Sequence, residues 1–572
     1  MRVPELQPIQ NHTEESEMES NLESDQDTQS INLGGPARRG WKRYLLYVLL
    51  AMVVFSTYWG LSTWNYNRNK ILLEREAHVR EENVAVFSWL PIRVRAITSI
   101  HYKNKAEGAG KIHASAGPLK SLNLRHLQSL ETDDGLELEP DTLKSLGALP
   151  NLSFLDLSRS NVTDEMIQQM SPMPKLFNLR LDFTRITDAS LASLKGSDPM
   201  ELHLRGTAIT DAGLKNFSAQ KFRRELGLGE TDITDAGLGH FEDLTILKSL
   251  DIHKTQVTGV GLSKSRAGEL QTLDASDTPM TDEGLVFLEG NRNLYTLKLA
   301  RTQVTGIGLA RFVAVPQWLA HLDLSESPVS SEGMATIGKL AKVEILNLSK
   351  TPLNDTGLDH LRRVKIHEWD LSETQVTDEG FRRFGECPDL STINLRKTKV
   401  TGIGMAGMIA PTLSMVDVSD SDFQDQGLQF LSTSNYLNTL NLSRTQVTGA
   451  GLAALANVDI FRVELSGAPI TDSGVAGLAQ LKLIEQLDLS RTPITDDWLT
   501  HLAGHPTLSA LDLTGTAITD KAIEHLEKIP DLNHVEFAET KVSQAAQDRL
   551  ANFWEKRYEE IYVESPATGE TN

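Results

Sequence analysis

Two short motifs resemble phosphate and calcium sites, but neither has the spacing that this chemistry requires. Gly110-Lys111 resembles the end of a phosphate-binding loop, yet the first glycine of that loop would fall at Lys105, and Ile112 replaces the Ser or Thr. Asp420, Asp422 and Asp425 resemble the acids of a calcium loop, but their spacing is wrong and the closing Glu is missing. We therefore predict neither site.

The chain also lacks the usual patterns of nucleophiles and metal ligands. Cys387 is the single cysteine, and no histidine stands beside it in a nucleophile motif. No His-Glu-x-x-His or Cys-x-x-Cys motif occurs anywhere in the sequence. We predict that the protein is not an enzyme, and we expect no cofactor and no metal.

A column of acidic residues is the strongest chemical pattern that remains. It recurs about every 24 residues, between two apolar residues of a repeated phrase, and ten of its seventeen members are acidic. Like charges on neighbouring strands repel each other, so an unbroken run of acids is costly without a partner or counterion. The last four members form such a run: Glu464, Asp488, Asp512 and Glu536. Two interpretations remain open, a solvated row screened by water and a binding site for a basic protein or glycan ligand. The binding hypothesis assigns these four residues as the ligand site.

The phrase that carries this column determines the architecture. One clear copy, residues 511–520, reads Leu-Asp-Leu-Thr-Gly-Thr-Ala-Ile-Thr-Asp, and seventeen copies follow each other at steps of 23, 24 or 25 residues. A fixed period in this range predicts a solenoid, in which each unit buries its apolar face only against its neighbours. The Leu-x-Leu core predicts a short strand, and Thr-Asp-x-Gly-Leu predicts the beginning of a helix. For Thr281-Asp282, we expect the threonine to cap that helix.

These residues resemble the leucine-rich repeat family from about Leu122 to Val542. The family phrase Leu-x-x-Leu-x-Leu-x-x-Asn-x-Leu is matched by residues 152–162, except that Thr or Ser replaces the Asn in nearly every copy. The ending Ile-Thr-Asp is similar to the cysteine-containing subclass, with Thr in place of Cys. The resemblance implies an α/β solenoid with a parallel concave sheet and convex helices. It also implies a binding scaffold rather than an enzyme, although fold does not dictate function.

Two further columns predict structural contacts rather than chemistry. The threonines at the Asn position predict a buried hydroxyl ladder that bonds to backbone groups where each strand turns. Two positions after the second inward apolar residue, where we expect the strand to continue, charges alternate in sign through ten repeats without a break. The members are Glu230, Lys254, Asp277, Arg301, Glu326, Lys350, Glu373, Lys397, Asp420 and Arg444. We predict a cross-strand ladder of ion pairs here, and a duplicated unit of two repeats.

The ends of the chain predict a membrane anchor and two caps. The segments are an acidic, disordered tail at 1–43, a transmembrane helix at 44–64, a stalk and cap at 65–120, repeats at 121–543, and a capping helix with a tail at 544–572. The apolar segment 44–64 is long enough to cross a bilayer, and the basic residues before it predict a cytoplasmic N-terminus. A cleaved signal peptide is the alternative. We expect helices at Leu72 to Trp89 and at Gln544 to Val563.

The net charge and the cysteine content limit the classes of function that the chain could have. A net charge of −21 argues against nucleic-acid binding, which requires a basic face. A single cysteine allows no disulfide-stapled cap of the kind that the family's secreted animal members have, which favours a bacterial origin. We therefore predict a single-pass membrane protein whose repeats lie outside the cytoplasm, periplasmic or extracellular, and act as an interaction scaffold. The alternatives are an adaptor similar to the F-box-type ubiquitin-ligase subunits, and a structural envelope protein.

Overall fold

The fold was determined as a computed structural model of the 572-residue chain. It describes residues 77–85, 93–102, 113–114, 129–132, 137–138 and 140–563. Within the last range, residues 171, 195, 198, 218–223, 242–243, 312–317, 472–473, 475–476 and 482 are not described. The acidic tail and the segment 44–64 lie outside the described residues.

One sheet of twenty strands runs along the described chain, and a separate pair, β3 and β5, stands apart. The strands, β1 to β22 in chain order, are Ala77–Ala85, Arg93–Tyr102, His113–Ala114, Ser129–Thr132, Glu137–Leu138, Phe154–Asp156, Asn178–Arg180, Glu201–His203, Glu225–Gly227, Ser249–Asp251, Thr272–Asp274, Thr296–Lys298, Trp318–Asp323, Lys342–Asn347, Lys365–Asp370, Thr392–Asn394, Met415–Asp417, Tyr436–Asn441, Asp459–Glu464, Gln486–Asp488, Ala510–Asp512 and His534–Glu536. From β6 to β22 each copy of the repeated phrase contributes one strand, and every neighbouring pair is parallel.

The core lies directly behind this sheet. The second apolar residue of the phrase has no exposed area in any copy from Leu157 to Leu513. The first apolar residue pairs in register with its equivalent on the next strand, as Leu250 does with Leu273 and Leu487 with Leu511. A short repeat cannot enclose a core of its own, so the stacked leucine columns form one continuous core along the solenoid.

Short helices follow the strands, as the Thr-Asp-x-Gly-Leu pattern predicts. The α-helices are Pro140–Gly147, Asp164–Met170, Asp188–Ser193, Asp211–Phe217, Asp235–Leu238, Ser331–Ile337, Asp355–Asp359, Asp378–Phe381, Ile523–Leu526 and Gln544–Val563. The 3₁₀ helices are Val260–Leu262, Glu283–Leu288, Ile307–Arg311, His360–Arg363, Ile403–Met405, Asp425–Thr433, Ala450–Leu455, Asp496–Leu502 and Asp520–Ala522. The Thr281 hydroxyl accepts a hydrogen bond from the Gly284 N–H at 3.2 Å, although the cap position of the 3₁₀ helix Glu283–Leu288 is Asp282, one residue later than we expected.

The segment before the repeats differs from our expectation. Residues 77–85 within the expected stalk helix form strand β1, which pairs antiparallel with β2. β2 in turn pairs parallel with β4, which extends the sheet beyond the first clear repeat. The stalk-helix prediction is therefore wrong over these residues. Their charges suit an exposed helix or strand equally, and only the β-branched residues of β1 and β2 favour strands.

The C-terminal helix is confirmed at Gln544–Val563. Leu550 on this helix is 1% exposed, and Arg549 pairs with Glu527 of the last repeat at 2.9 Å. Arg557 donates a hydrogen bond to the Ile529 carbonyl at 3.3 Å. The helix thus packs on the last repeat.

Among the residues that the structure describes, no helix is long and apolar enough to span a bilayer.

Candidate ligand-binding face

The four predicted ligand residues form one row at the C-terminal end of the sheet. Glu464 pairs in register with Asp488, Asp488 with Asp512, and Asp512 with Glu536. Each is the last residue of its strand, β19 to β22, on the opposite side from the buried leucines. Neighbouring strands are about 4.8 Å apart, so the backbones of these residues stand at that spacing. We call these four residues the acidic row.

Most acids of the column accept a hydrogen bond from a backbone N–H in the turn that follows their strand. The Asp488 carboxylate accepts a hydrogen bond from the Ser490 N–H at 2.8 Å, and Asp512 accepts one from Thr514 N–H at 2.8 Å. Asn347 accepts the same bond from Ser349 at 3.0 Å. Asp and Asn both suit such turns, which explains why they exchange along the column. This role was missed in the sequence, although that exchange was a visible signal.

The two ends of the acidic row have basic neighbours that sequence reasoning missed. Arg462 contacts Glu464 at 2.8 Å, and His534 contacts Glu536 at 3.2 Å. Each base lies two residues before its acid, on the same face of the same strand. In the described part of the chain Asp488 and Asp512 have no ion pair, so the uncompensated charge lies at the middle of the acidic row.

Arg491 lies three residues after Asp488 in the sequence, but it does not pair with the acidic row. Its backbone lies in the left-handed region with a φ of 57°. Its Cγ stands 3.1 Å from the position that a Cβ on Gly515 would occupy. Arg491 therefore packs over the neighbouring repeat's glycine instead of pairing with the acidic row.

The alternating charges lie in turns rather than in strands, so their predicted placement is wrong. All ten have φ values between 52° and 59°, in the left-handed region that non-glycine residues seldom adopt. Glycine takes the same place in three other repeats, at Gly206, Gly467 and Gly515, with φ of 63°, 67° and 70°. The chain leaves each strand through this left-handed residue. The glycines in the column were the available signal.

The ion pairs themselves are present between repeats. Lys254 contacts Glu230 at 3.4 Å, Lys350 contacts Glu326 at 3.3 Å, and Lys397 contacts Glu373 at 3.4 Å. Arg301 pairs with Asp277, and Arg444 pairs with Asp420. The prediction that these charges pair is confirmed. Exposed pairs of this kind contribute between about 0 and 1 kcal/mol each.

In one cluster of the N-terminal repeats, contacts between charged side chains shift the pKa values of Glu230 and His253. The Arg205 side chain holds the pKa of Glu230 at about 2, at an Arg–Glu contact of 2.5 Å. His253 lies between Asp251, at 2.5 Å, and Glu230, at 3.3 Å. The hydrogen bond with Asp251 is the main cause that raises the pKa of His253, and burial opposes it.

A second ladder connects the helix starts of successive repeats. The aspartate of the Thr-Asp pair accepts hydrogen bonds from the N–H and hydroxyl of the Thr or Ser in the next repeat. Ten aspartates do so: Asp164, Asp188, Asp211, Asp235, Asp282, Asp355, Asp378, Asp425, Asp496 and Asp520. We call each such contact an Asp junction. The sequence indicated a helix-start acid, whereas its partners lie in the neighbouring repeat.

Four repeats carry Gly instead of Asp, and their contact with the next repeat differs. Gly259, Gly306, Gly402 and Gly449 have φ between 87° and 90°. The next repeat then donates a backbone N–H to the carbonyl of the preceding Thr, as Gln424 does to Thr401 at 3.1 Å. We call these contacts Gly junctions. A Cβ on Gly402 would stand 2.5 Å from the Gly427 Cα, so the site excludes larger residues.

The predicted hydroxyl ladder is confirmed. The Thr184 hydroxyl donates to the Leu181 carbonyl at 2.7 Å, and Thr445 donates to Leu442 at 2.7 Å. Both threonines are buried. Each hydroxyl thus satisfies a carbonyl three residues earlier, at the left-handed turn.

No cluster of three or more potential metal ligands occurs among the described residues. Burial raises the pKa of the Cys387 thiol to about 11, which disfavours the reactive thiolate.

Comparisons with known proteins agree with this architecture. A family model described as Leucine Rich repeat matches residues 433–456 and 504–526, each of which contains one copy of the phrase. No curated protein matches the chain.

Three solved structures illustrate the likeness. An internalin (inlF) from Listeria monocytogenes is 16% identical over 61% of this chain and 89% of that chain, with a TM-score of 0.39. A TDR receptor is 15% identical over 76% and 87%, with a TM-score of 0.40. The TLR13–ssRNA13 complex is 16% identical over 78% and 67%, with a TM-score of 0.46. What those proteins bind is a property of those proteins.

The described chain is a parallel-sheet solenoid with one strand and one short helical segment in most repeats. Two of its repeats match the family phrase directly, and the others share their registers, turns and buried leucines. Its described residues therefore have the architecture of a leucine-rich repeat solenoid, and two of its segments match the model of that family. A bacterial origin and the cysteine-containing subclass stay predictions.

Proposed function

We propose that the protein is a non-catalytic interaction scaffold that binds a basic protein or glycan ligand at the acidic row. The observation that carries this proposal is the unbroken register Glu464, Asp488, Asp512 and Glu536 on the exposed side of the sheet. Elsewhere in the described column, a basic residue, asparagine or glycine interrupts the acids after at most two repeats.

Electrostatics favour a cationic partner at this place. Asp488 and Asp512 stand side by side without an ion pair among the described residues, and the flanking bases neutralise only the ends of the row. A guanidinium donates hydrogen bonds from a planar fork that suits carboxylates. The net charge of −21 adds long-range attraction for cations and opposes nucleic acid.

A neutral variant with unchanged shape tests the acidic row. The substitutions Asp488→Asn, Asp512→Asn, Glu464→Gln and Glu536→Gln remove four charges. Asn347 already accepts the turn hydrogen bond in this column, so the two Asn substitutions preserve the turns. With fluorescein-labelled octa-arginine as the probe, we expect the parent to bind at low salt and the variant to lose affinity, mainly through slower association.

The matched control neutralises four other acids of the same column: Asp156, Asp323, Asp370 and Asp417, each replaced by Asn. Each accepts the same turn hydrogen bond, so this variant has the same net charge and the same local turns. We expect it to bind the probe nearly as well as the parent does. Equal binding by both variants, or binding that does not weaken when salt shortens the Debye length below about 8 Å, would exclude the acidic row. The concave residues Arg180 and His203 would be tested next.

We further propose that residues 44–64 anchor the protein in a membrane, with the repeats periplasmic or extracellular. The supporting observations are the uncharged apolar stretch and the basic residues before it. A reporter that is active only in the cytoplasm, fused after Asn572, is expected to be silent. An active reporter would reverse the proposed orientation.

The alternatives make different predictions. An F-box-type adaptor needs a helical domain before its repeats, whereas the described residues there include the antiparallel strands β1 and β2. A purely structural envelope protein would bind octa-arginine no better than its neutralised variant does. The binding experiment therefore separates a scaffold from a structural protein.

A further inference from the structure

A shallow groove of about 560 Å³ crosses three successive repeats on the helical side of the solenoid, away from the acidic row. Ile403 lines it from the first repeat, Gln426 and Gln429 from the second, and Ala450 and Ala454 from the third. These residues belong to three consecutive 3₁₀ helices or directly border them. The groove is therefore built by equivalent positions of neighbouring repeats.

The groove lies on an uncharged surface of a strongly charged chain. The segments 403–416, 426–443 and 445–458 contain no Asp, Glu, Lys or Arg, although the net charge is −21. Of the described residues that line the groove, Asp425 alone is charged, and its carboxylate accepts four hydrogen bonds from the next repeat. Two copies of an acidic protein repel each other where both are negative, so an uncharged face is where a second copy approaches at least cost.

The groove has a large and a small side chain at equal distances from its centre. Ile403 follows Gly402, Ala450 follows Gly449, and Gln426 has the equivalent position in the repeat between them. The Ile403 side chain is 51% exposed. A two-fold axis at Gln426 would set Ile403 of each copy against Ala450 of the other, large against small. Because both copies have the same spacing between repeats, such contacts stay in register.

An equivalent trio earlier in the chain lacks both features. Val260, Glu283 and Ile307 have the same places in three other repeats. Val260 is 52% exposed and Ile307 is 44% exposed, so both flanks are large, and an acid stands at the centre. A two-fold contact there would set Glu283 against its own copy, with no small residue opposite Ile307. The two trios thus share their fold and differ at the positions that such a contact requires.

We propose that the groove is a self-association surface, at which a second copy of the chain binds antiparallel about a two-fold axis at Gln426. The side-chain amides of the two Gln426 residues exchange hydrogen bonds across the axis, since each amide has both a donor and an acceptor. Three repeats form a small interface, so we expect weak and reversible dimerisation. The surface is separate from the acidic row and does not depend on ligand binding there.

Opposite charges at the axis test the symmetry. Gln426→Glu and Gln426→Lys each set like charges face to face, so in sedimentation velocity of the full chain in detergent each variant alone should dimerise at least about tenfold more weakly than the parent. An equimolar mixture of the two should form the heterodimer at least as well as the parent forms its dimer. Glu283→Gln changes the net charge by the same amount as Gln426→Lys and should leave dimerisation unchanged. A parent without concentration-dependent dimers, or unchanged dimerisation by both Gln426 variants, would overturn the proposal.

An exchange of the large and small side chains tests the register. Ile403→Ala removes the protruding side chain, and Ala450→Ile fills the space opposite it; the fold accepts this isoleucine, because Val260 and Ile307 already occupy the same position. Each single variant should dimerise about tenfold more weakly, whereas the double variant should recover the dimer of the parent. A double variant as weak as the single ones would overturn the register.

Salt separates this contact from binding at the acidic row. Added salt screens the repulsion between two acidic copies, so dimerisation should strengthen, whereas binding of a basic ligand should weaken. A dimer that dissociates as salt is added would overturn the proposed uncharged contact, whatever the outcome at the acidic row.

Discussion

Removal of a single Asp-junction carboxylate should destabilise the solenoid in proportion to the hydrogen bonds it accepts. Asp425 accepts four from the next repeat, from Thr448 N–H at 3.1 Å, its hydroxyl at 2.7 Å, Gly449 N–H at 3.1 Å and Gly451 N–H at 2.9 Å. Asp496 accepts only two, from the Thr519 N–H and hydroxyl, both at 2.7 Å. The two positions are otherwise equivalent, since each acid begins a 3₁₀ helix.

The magnitudes follow from these counts. A hydrogen bond to a charged group contributes about 1.5–3 kcal/mol net, and partial exposure at these half-buried acids reduces that to about 1 kcal/mol per bond. Asp425→Ala should therefore lower the free energy of unfolding by about 4 kcal/mol, and Asp496→Ala by about 2 kcal/mol. Thr448→Val removes only the hydroxyl donor and should cost about 1 kcal/mol. The expected losses for Asp425→Ala, Asp496→Ala and Thr448→Val therefore stand in a ratio of about 4 to 2 to 1.

Urea unfolding followed by circular dichroism measures the overall loss. Repeats interact only with their neighbours, so a weakened junction also allows the two sides to unfold separately. We therefore expect a broadened or split transition for Asp425→Ala, which a two-state fit would misrepresent. Hydrogen exchange should show lost protection at the Gly449 and Gly451 amides before other amides are affected. Equal losses for Asp425→Ala and Asp496→Ala, or losses below about 0.5 kcal/mol for both, would refute the reasoning.

Three further outcomes are expected. The raised pKa of His253 means that its charged form stabilises the fold below the unfolded pKa of about 6.5, and this contribution is lost as pH rises through the higher folded value. The loss of stability in His253→Gln should accordingly shrink from about pH 5 to about pH 9 in urea titrations; a constant difference would contradict this assignment. Gly402→Ala should lower the melting temperature clearly, because φ is 87° and the new Cβ would lie 2.5 Å from Gly427 Cα, whereas Gly385→Ala meets nothing within 4 Å and should be nearly neutral. Deletion from Gln544 onward should uncover the last repeat and cause aggregation, which light scattering would detect; a soluble, folded product would argue against the capping role.

The features that the sequence predicted are those encoded within one repeat. The period, the buried leucines, the short helices and the terminal helix Gln544–Val563 all follow from local apolar spacing, and the structure contains them. The stalk prediction was wrong because the fate of residues 77–85 depends on pairing with β2, a contact that no local pattern reveals.

The candidate site was predictable only in its placement. The register of the acidic row follows from the repeat, whereas its electrostatics depend on Arg462 and His534, which are recognised as neighbours only when the strand direction of their side chains is considered. We predicted that the alternating charges lie in strands because the sequence shows that they can pair. It does not show that their backbone is left-handed. The left-handed turn becomes visible in the sequence only through Gly206, Gly467 and Gly515.

The two kinds of junction give the solenoid a mechanical hierarchy. At Asp425 a carboxylate holds the next repeat through four hydrogen bonds, whereas one junction earlier Gln424 is held at the equivalent place by a single backbone bond to Thr401. Strong and weak contacts alternate in the same way around Asp235 and Gly259. A force applied along the long axis would therefore be resisted unevenly, and the Gly junctions would open first. Under tension the molecule would lengthen in discrete steps, as blocks of repeats separate before any single repeat unravels.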